Sequence, residues 1–169
     1  MKSKLKNRVL FLGILAAFLV AFAVWYKITY EMEVVQSKAI HSPNLATKVL
    51  VATQGSDFKD AVVTNIFNFY KKDSVYIKAI DVSQLPQVDS SKYNVIVILH
   101  TWEYGKPPAA VLEFIKNNSE RKHKMIVYAT SGAGNNKIEG IDAMAGESIL
   151  ENASDVSDAI LSKMESMIN

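Results

Sequence analysis

The chain has 169 residues, 49% of them hydrophobic, and no cysteine, so it is long enough for one sizeable core and uses neither disulfides nor thiolate metal sites. The formal net charge of +2 arises near the N-terminus, where five of the 19 basic residues precede residue 28, whereas all 17 acidic residues follow it. The remainder is slightly acidic, which argues against a nucleic-acid-binding surface.

An uncharged run of eighteen residues, 9–26, lies close to the N-terminus. As a helix rising about 1.5 Å per residue, it would nearly span a hydrocarbon core of about 30 Å. Four cations precede the run and Trp25, Tyr26 and Lys27 close it, which is typical of a membrane anchor whose basic end stays in the cytoplasm. We therefore predict a cytoplasmic N-terminus (1–8), a transmembrane signal-anchor helix (9–27), a stalk (28–44) and an extracytoplasmic domain (45–169).

The same run also fits a cleaved signal peptide, with Ala21-Phe22-Ala23 as the cleavage site. We expect an uncleaved anchor, because the apolar run continues through this site and ends in aromatic residues. The prediction is thus a single-pass protein of the cell membrane.

Residues 45–169 alternate between short apolar runs and helical stripes. The strongest run, residues 95–99, is continuously β-branched or aliphatic, as in parallel central strands that are buried on both faces. Further strands are predicted at 49–52, 75–80, 125–130 and within 138–148, with helices over 57–70, after Pro108 and from an N-cap at Ser154. Pro86 limits the connector at 83–94 to one helical turn. This alternation predicts an α/β fold with a parallel sheet.

Three loops follow predicted strands, and in open parallel sheets ligands bind beyond these carboxyl ends. In the first loop, residues 53–57, Gly55 allows close approach of a ligand, and Thr53 and Ser56 offer hydroxyl donors. The helix N-terminus that follows favours an anion. Asp57 opposes this, because its carboxylate stands where a phosphate would sit, and it is alternatively the helix cap.

The second loop, residues 100–106, carries two large aromatic side chains, Trp102 and Tyr104. They could stack on a flat heteroaromatic ligand, dock on a membrane or pack onto the core. His100 is interpreted as a hydrogen-bonded loop residue, since the three histidines are too scattered in sequence for a metal site.

The third loop, residues 130–136, is small and polar. It either brings backbone N–H groups close to the edge of a ring or forms a mobile turn. Ser131 is not predicted to be a nucleophile, because no Asp/His pair accompanies it in a recognisable order. No catalytic residue and no metal ligand is predicted.

Three motifs, "TQGS" (53–56), "HTWEYGKPP" (100–108) and "YATSGAG" (128–134), resemble the ligand loops of the flavodoxin-like family. The resemblance covers residues 45–169 and implies a three-layer, doubly wound parallel sheet of order 2-1-3-4-5 that binds flavin mononucleotide (FMN). It implies that Thr53, Gly55 and Ser56 hold the phosphate. Thr101 and Trp102 would face the flavin ring, and Ser131 and Gly132 would approach its polar edge. The remaining candidate cofactor-binding residues are Gln54, Asp57, Tyr104, Gly105 and Thr130.

The sequence departs from the family pattern in two loops. Gln54 and Asp57 stand where hydroxyl residues are usual, and the third loop lacks an aromatic residue for the second face of the ring. Two functions remain open. One is a membrane-tethered FMN protein that exchanges electrons with a membrane quinone or a partner redox protein. The other is a degenerate domain without flavin that acts as a non-enzymatic binding module at the membrane through Trp102 and Tyr104.

Overall fold

The apolar N-terminal run forms helix α1 (Lys2–Tyr30) in a computed structural model. The structure describes residues 2–30 and 32–168, with side chains for 6–26 and 32–168. The predicted roles of the cations before residue 6 and of Lys27 therefore lie outside the described side chains. The segment Lys6–Tyr26 is exposed and apolar on average, and by length and composition it can span a membrane or act as a signal sequence.

Residues Glu33–Asn169 form a separate compact unit, and within its described part six strands build one sheet. The strands are β1 (Lys38–Ile40), β2 (Thr47–Thr53), β3 (Val75–Asp81), β4 (Val95–Thr101), β5 (Met125–Thr130) and β6 (Ala143–Gly146). Their order is β1-β3-β2-β4-β5-β6. β1 is antiparallel to β3, and the other pairs are parallel.

This sheet corrects the predicted one, which had five parallel strands in the order 2-1-3-4-5. The additional strand is β1, which lies within the range 28–44 assigned to a stalk and pairs along the outer edge of β3. A strand of three residues is too short to show a period of two in the sequence. The whole-sheet order was therefore wrong, whereas each predicted parallel strand is present.

Helices cover both faces of the sheet, which gives three layers. They are α2 (Asp57–Phe69), α3 (Ala109–Asn117) and α4 (Ala153–Ile168). Short 3₁₀ helices lie at Tyr70–Lys72, Val82–Gln87, Ser90–Lys92, Ser119–Lys124 and Leu150–Asn152. The connector at 83–94 was predicted to hold one helical turn, but it contains two 3₁₀ helices, and Pro86 lies inside the first of them. The limit of one turn was therefore wrong. α4 begins at Ala153, so the prediction that Ser154 is its N-cap was wrong.

The alternation of side chains along β4 divides the core into two parts. Val95, Val97 and Leu99 pack with α2 and α4, whereas Ile96 and Ile98 pack with α3 and the Val82–Gln87 helix. Fully burying one such side chain stabilises the fold by about 1.5–3 kcal/mol. Because successive residues of a strand point to opposite faces, the next residues of β4, His100 and Thr101, face the α3 layer and the α2 layer respectively.

Candidate functional site

The three predicted loops meet at the carboxyl edge of the sheet, which we define as residues 53–57, 100–106 and 130–136. β2 lies between β3 and β4. The chain therefore runs from β2 to β3 on one side of it and then crosses to β4 on its other side. Such a reversal of strand order opens a crevice between neighbouring loops, where open α/β sheets bind their ligands. The carboxyl edge is therefore the candidate site.

The first loop ends in a helix cap that Ser56 provides. The Ser56 Oγ accepts a hydrogen bond from the Lys59 backbone N–H at 3.3 Å, and the Ser56 carbonyl accepts one from the Asp60 N–H at 2.8 Å. Asp57 is the first helical residue, so the alternative of an Asp57 cap was wrong. Its carboxylate lies in the first turn, where it interacts favourably with the helix dipole.

Gly55 is covered by a segment from the N-terminal side of the domain, residues 33–35, which we call the strap. The Gly55 N–H donates to the Glu33 carbonyl at 2.8 Å, and a Cβ on Gly55 would lie 2.7 Å from that oxygen. The Val35 N–H donates to Asp81 Oδ2 at 3.0 Å. Gly55 therefore admits the protein's own backbone, where the sequence had suggested a ligand.

Gln54 joins the first loop to the second. Its N–H donates to the Leu99 carbonyl, and its Oε1 accepts from the Thr101 N–H at 2.7 Å. Its Nε2 donates to Glu103 Oε1 at 2.8 Å. These bonds use the buried amide to fix the two loops against each other, a structural role that the sequence did not reveal.

Lys59 is a fully buried cation at this edge, and the sequence analysis missed it. Its Nζ donates to Ser56 Oγ at 3.2 Å and to Thr101 Oγ1 at 2.8 Å, and Thr101 Oγ1 in turn lies 2.9 Å from Thr130 Oγ1. Burial lowers the pKa of the Lys59 ammonium to about 8, while the Glu103 carboxylate acts to raise it. The sequence pattern could have revealed its burial, because Lys59 lies on the same helical stripe as the buried residues at 62, 63 and 66.

The second loop separates its two aromatic residues. Glu103 and Lys106 exchange backbone hydrogen bonds of 3.0 and 3.1 Å, and the two residues between them, Tyr104 and Gly105, have φ values of 52° and 75°. These are the features of a two-residue type I′ turn. Tyr104, at the tip of the turn, is 76% exposed. Trp102 is half-buried, and its backbone N–H donates to the Thr130 carbonyl at 2.8 Å.

The third loop begins with buried polar residues. Thr130 and Ser131 are 1% and 9% exposed, and the Ser131 N–H donates to the Gly146 carbonyl at 3.2 Å. A Cβ on Gly132 would meet no atom within 4 Å, so no close contact requires a glycine there. In the part of the chain that the structure describes, no group of three or more His, Asp or Glu residues could hold a metal ion.

Two backbone donors of the first loop are used within the protein and are not available to a phosphate in this conformation. The N–H groups of Gln54 and Gly55 are bonded within the protein, and a phosphate needs such backbone donors. Flavin binding itself stays a prediction, as do the cofactor roles of the residues in the three loops.

No protein-family model matches the chain, and no curated protein sequence matches it. The class is therefore defined by the structure alone: an α/β domain with a mostly parallel sheet that follows an apolar helix able to anchor it to a membrane. The likeness of its three loops to those of flavodoxin-like proteins stays a resemblance.

Proposed function

We propose that the chain is a membrane-tethered binding module, in which the carboxyl edge of an α/β domain recognises a ligand or partner without holding flavin phosphate in the first loop. The apolar helix α1 supplies the tether. The second and third loops supply the recognition surface, with Tyr104 exposed at the tip of a tight turn. The domain would act outside the cytoplasmic membrane.

The observation that carries this proposal is the contact between Glu33 and Gly55. It uses the glycine N–H and fills the space beside the glycine Cα, which are the two properties that would suit Gly55 to a phosphate. A ligand phosphate could take this position only if the strap left it.

Local charge also opposes a phosphate at the first loop. Lys59 is balanced by acidic residues in or beside the loop: Glu33, Asp57, Asp60 and Glu103. Since like charges a few ångströms apart repel by about 1 kcal/mol or more depending on solvent access, a dianionic phosphate would be poorly accommodated here.

A second candidate function is an FMN-dependent electron carrier that exchanges electrons with a membrane quinone or a partner redox protein. The half-buried Trp102, placed beside Thr101 and Thr130 at the reversal of strand order, favours it. The flavin would supply the redox chemistry, and the strap would have to leave Gly55.

Titration of the full chain in detergent micelles with FMN separates the two functions. The binding module should leave flavin fluorescence unchanged at micromolar FMN, and the purified chain should be colourless. Saturable quenching, or a yellow protein, would replace the proposal with the electron carrier.

Two matched variants locate any flavin phosphate that does bind. Asp57→Thr should tighten FMN binding by about tenfold, the equivalent of about 1.4 kcal/mol, if the phosphate lies at the first loop. Asp60→Thr is the control, because Asp60 is also exposed in the first turn of α2. Equal effects of the two substitutions would exclude the first loop as the phosphate site.

The recognition surface can be tested in intact membranes by photo-crosslinking. A photoreactive residue at Tyr104 should form an adduct with a membrane-associated partner, whereas one at the exposed Glu120, which precedes β5 at the opposite edge of the sheet, should not. Adducts from both positions, or from neither, would count against a partner at the carboxyl edge.

A further inference from the structure

Three buried polar atoms at the carboxyl edge have no hydrogen-bond partner among the residues that the structure describes. They are His100 Nε2, Trp102 Nε1 and Ser131 Oγ. Buried polar groups without a partner cost free energy and are rare in folded proteins. Three such atoms at the carboxyl ends of the neighbouring strands β4 and β5 therefore point to a common cause.

Side-chain alternation, continued one residue past the ends of β4 and β5, places the three side chains on the same face of the sheet. Thr101 and Thr130 meet through their hydroxyl groups on the α2 side, so the alternation of side chains assigns the flanking residues His100, Trp102 and Ser131 to the α3 side. The backbone bonds from Trp102 N–H to Thr130 and from Ser131 N–H to Gly146 continue the ladder past the strand ends. Neighbouring strands are about 4.8 Å apart, and Thr101 pairs with Thr130, so Trp102 and Ser131 follow as neighbours across the two strands and His100 lies two residues before Trp102.

Each of the three unpaired atoms can be assigned a role as hydrogen-bond donor or acceptor. A proton on His100 Nδ1 can donate to the Thr101 carbonyl, which lies 3.4 Å away, and in that neutral tautomer Nε2 is an acceptor. Burial lowers the pKa of His100 to about 4, so the ring is neutral at pH 7. Trp102 Nε1 is a donor, and Ser131 Oγ can donate or accept.

A molecule that satisfies these atoms has a donor next to an acceptor and carries no charge. A carboxamide meets both conditions, because its N–H can donate to an imidazole nitrogen while its carbonyl accepts two hydrogen bonds. A carboxylate does not, because it has no donor for His100 and its charge would be buried beside a neutral ring.

We propose that the α3-facing side of the carboxyl edge binds a small uncharged molecule with a carboxamide edge, whose N–H donates to His100 Nε2 and whose carbonyl accepts from Trp102 Nε1 and Ser131 Oγ. The proposal rests on the proposed function in treating the carboxyl edge as a recognition surface. It is tested separately, because the Asp57 and Asp60 variants examine the first loop and the experiment below examines the other two.

The experiment uses benzamide as the probe and the full chain in detergent micelles. The chain has two tryptophans, so labelling with ¹⁵N-tryptophan gives two indole signals, from Trp25 in α1 and from Trp102. We expect benzamide to shift the Trp102 indole N–H signal saturably and to leave Trp25 unchanged. Acetophenone, which lacks the N–H donor, and benzoate, which is charged, should bind at least fivefold more weakly, about the loss of one hydrogen bond.

Two pairs of variants assign the effect to the proposed atoms. Ser131→Ala and His100→Phe should each weaken benzamide binding by about fivefold to tenfold, whereas the exposed controls Ser162→Ala and His123→Phe should not. Absence of a saturable Trp102 shift, equal shifts of both indoles, or equal binding of the three probes would overturn the proposal.

Thermal unfolding separates recognition from a merely structural role. Without probe, Ser131→Ala should unfold at the same temperature as the unaltered chain or higher, because the lost hydroxyl has no partner to release. Benzamide should raise the unfolding temperature of the unaltered chain more than that of the variant. A variant that unfolds at a clearly lower temperature without probe would show that the Ser131 hydroxyl already stabilises the fold, and would contradict the proposal.

Discussion

The carboxyl ends of β4 and β5 present different chemistry on the two faces of the sheet. On the α2 side, Thr101 and Thr130 share a hydrogen-bonded network with the Lys59 ammonium. On the α3 side, His100, Trp102 and Ser131 each contain a buried polar atom that no described residue pairs. Neighbouring residues of the same two strands thus serve two purposes. The hydrogen bonds of the α2 side fix the loops, whereas the unpaired polar atoms of the α3 side could bond to another molecule.

The largest expected effect comes from acid, acting on the α3 face. The pKa of His100 is lowered from 6.5 to about 4 in the fold by burial, so between these values the unfolded chain binds more protons. Stability should therefore fall as the pH falls from 6.5 to 4. At 1.36 kcal/mol per pKa unit, the loss is about 3 kcal/mol.

Denaturant unfolding at pH 6.5 and pH 4 measures this loss, which His100→Phe should remove and the exposed control His123→Phe should retain. If His100→Phe lost as much stability in acid as the unaltered chain, the acid sensitivity would not come from His100. The protonation of His100 would then carry no penalty, and this difference between the two faces would be absent.

A hydroxyl deletion on each face compares them directly. Thr101→Val should lower the free energy of unfolding by about 2 kcal/mol, because it removes an acceptor from a buried ammonium. Ser131→Ala should change it by less than about 0.5 kcal/mol. Chemical denaturation of the two variants gives both values, and equal losses would break the distinction between a bonded and an unsatisfied face.

The strap provides the next test, within the first loop. Gly55→Ala places a methyl group 2.7 Å from the Glu33 carbonyl oxygen, so the strap must move, at a cost of about 1–2 kcal/mol. Hydrogen exchange of the Gly55 region should accelerate. Gly132→Ala is the matched control, since its added carbon meets nothing within 4 Å, and a similar destabilisation by both would show that the strap is not held by this contact.

The smallest expected effect concerns the turn of the second loop. Tyr104 has a left-handed backbone with φ of 52°, a conformation that costs a tyrosine more than an asparagine. Tyr104→Asn, which creates an Asn-Gly turn, should raise the free energy of unfolding by a few tenths of a kcal/mol. A measured decrease would show that the tyrosine ring contributes more than the backbone strain costs.

The sequence identified the elements whose pattern is local. The continuous apolar run at 95–99 marked β4 as a central strand, because only burial on both faces accommodates it. β1 was missed, since three residues carry no period, and its pairing with β3 depends on residues about forty positions away.

The same limit applies to the candidate site. Its location followed from the strand–helix alternation, but the role of Gly55 depends on Glu33, a partner that no local motif reveals. Lys59 could have been identified from its place on the buried stripe of α2. Whether a polar atom is paired, as at Ser131, depends on distances that a sequence does not contain.

The shortness of β1 also protects the sheet from association with other chains. β1 and β6 have only three and four residues, so the two margins of the sheet offer few unpaired backbone groups to a strand from another molecule. Without β1, the seven-residue β3 would become a margin. A chain cleaved between residues 40 and 47 should therefore aggregate through β3 more readily than the intact protein.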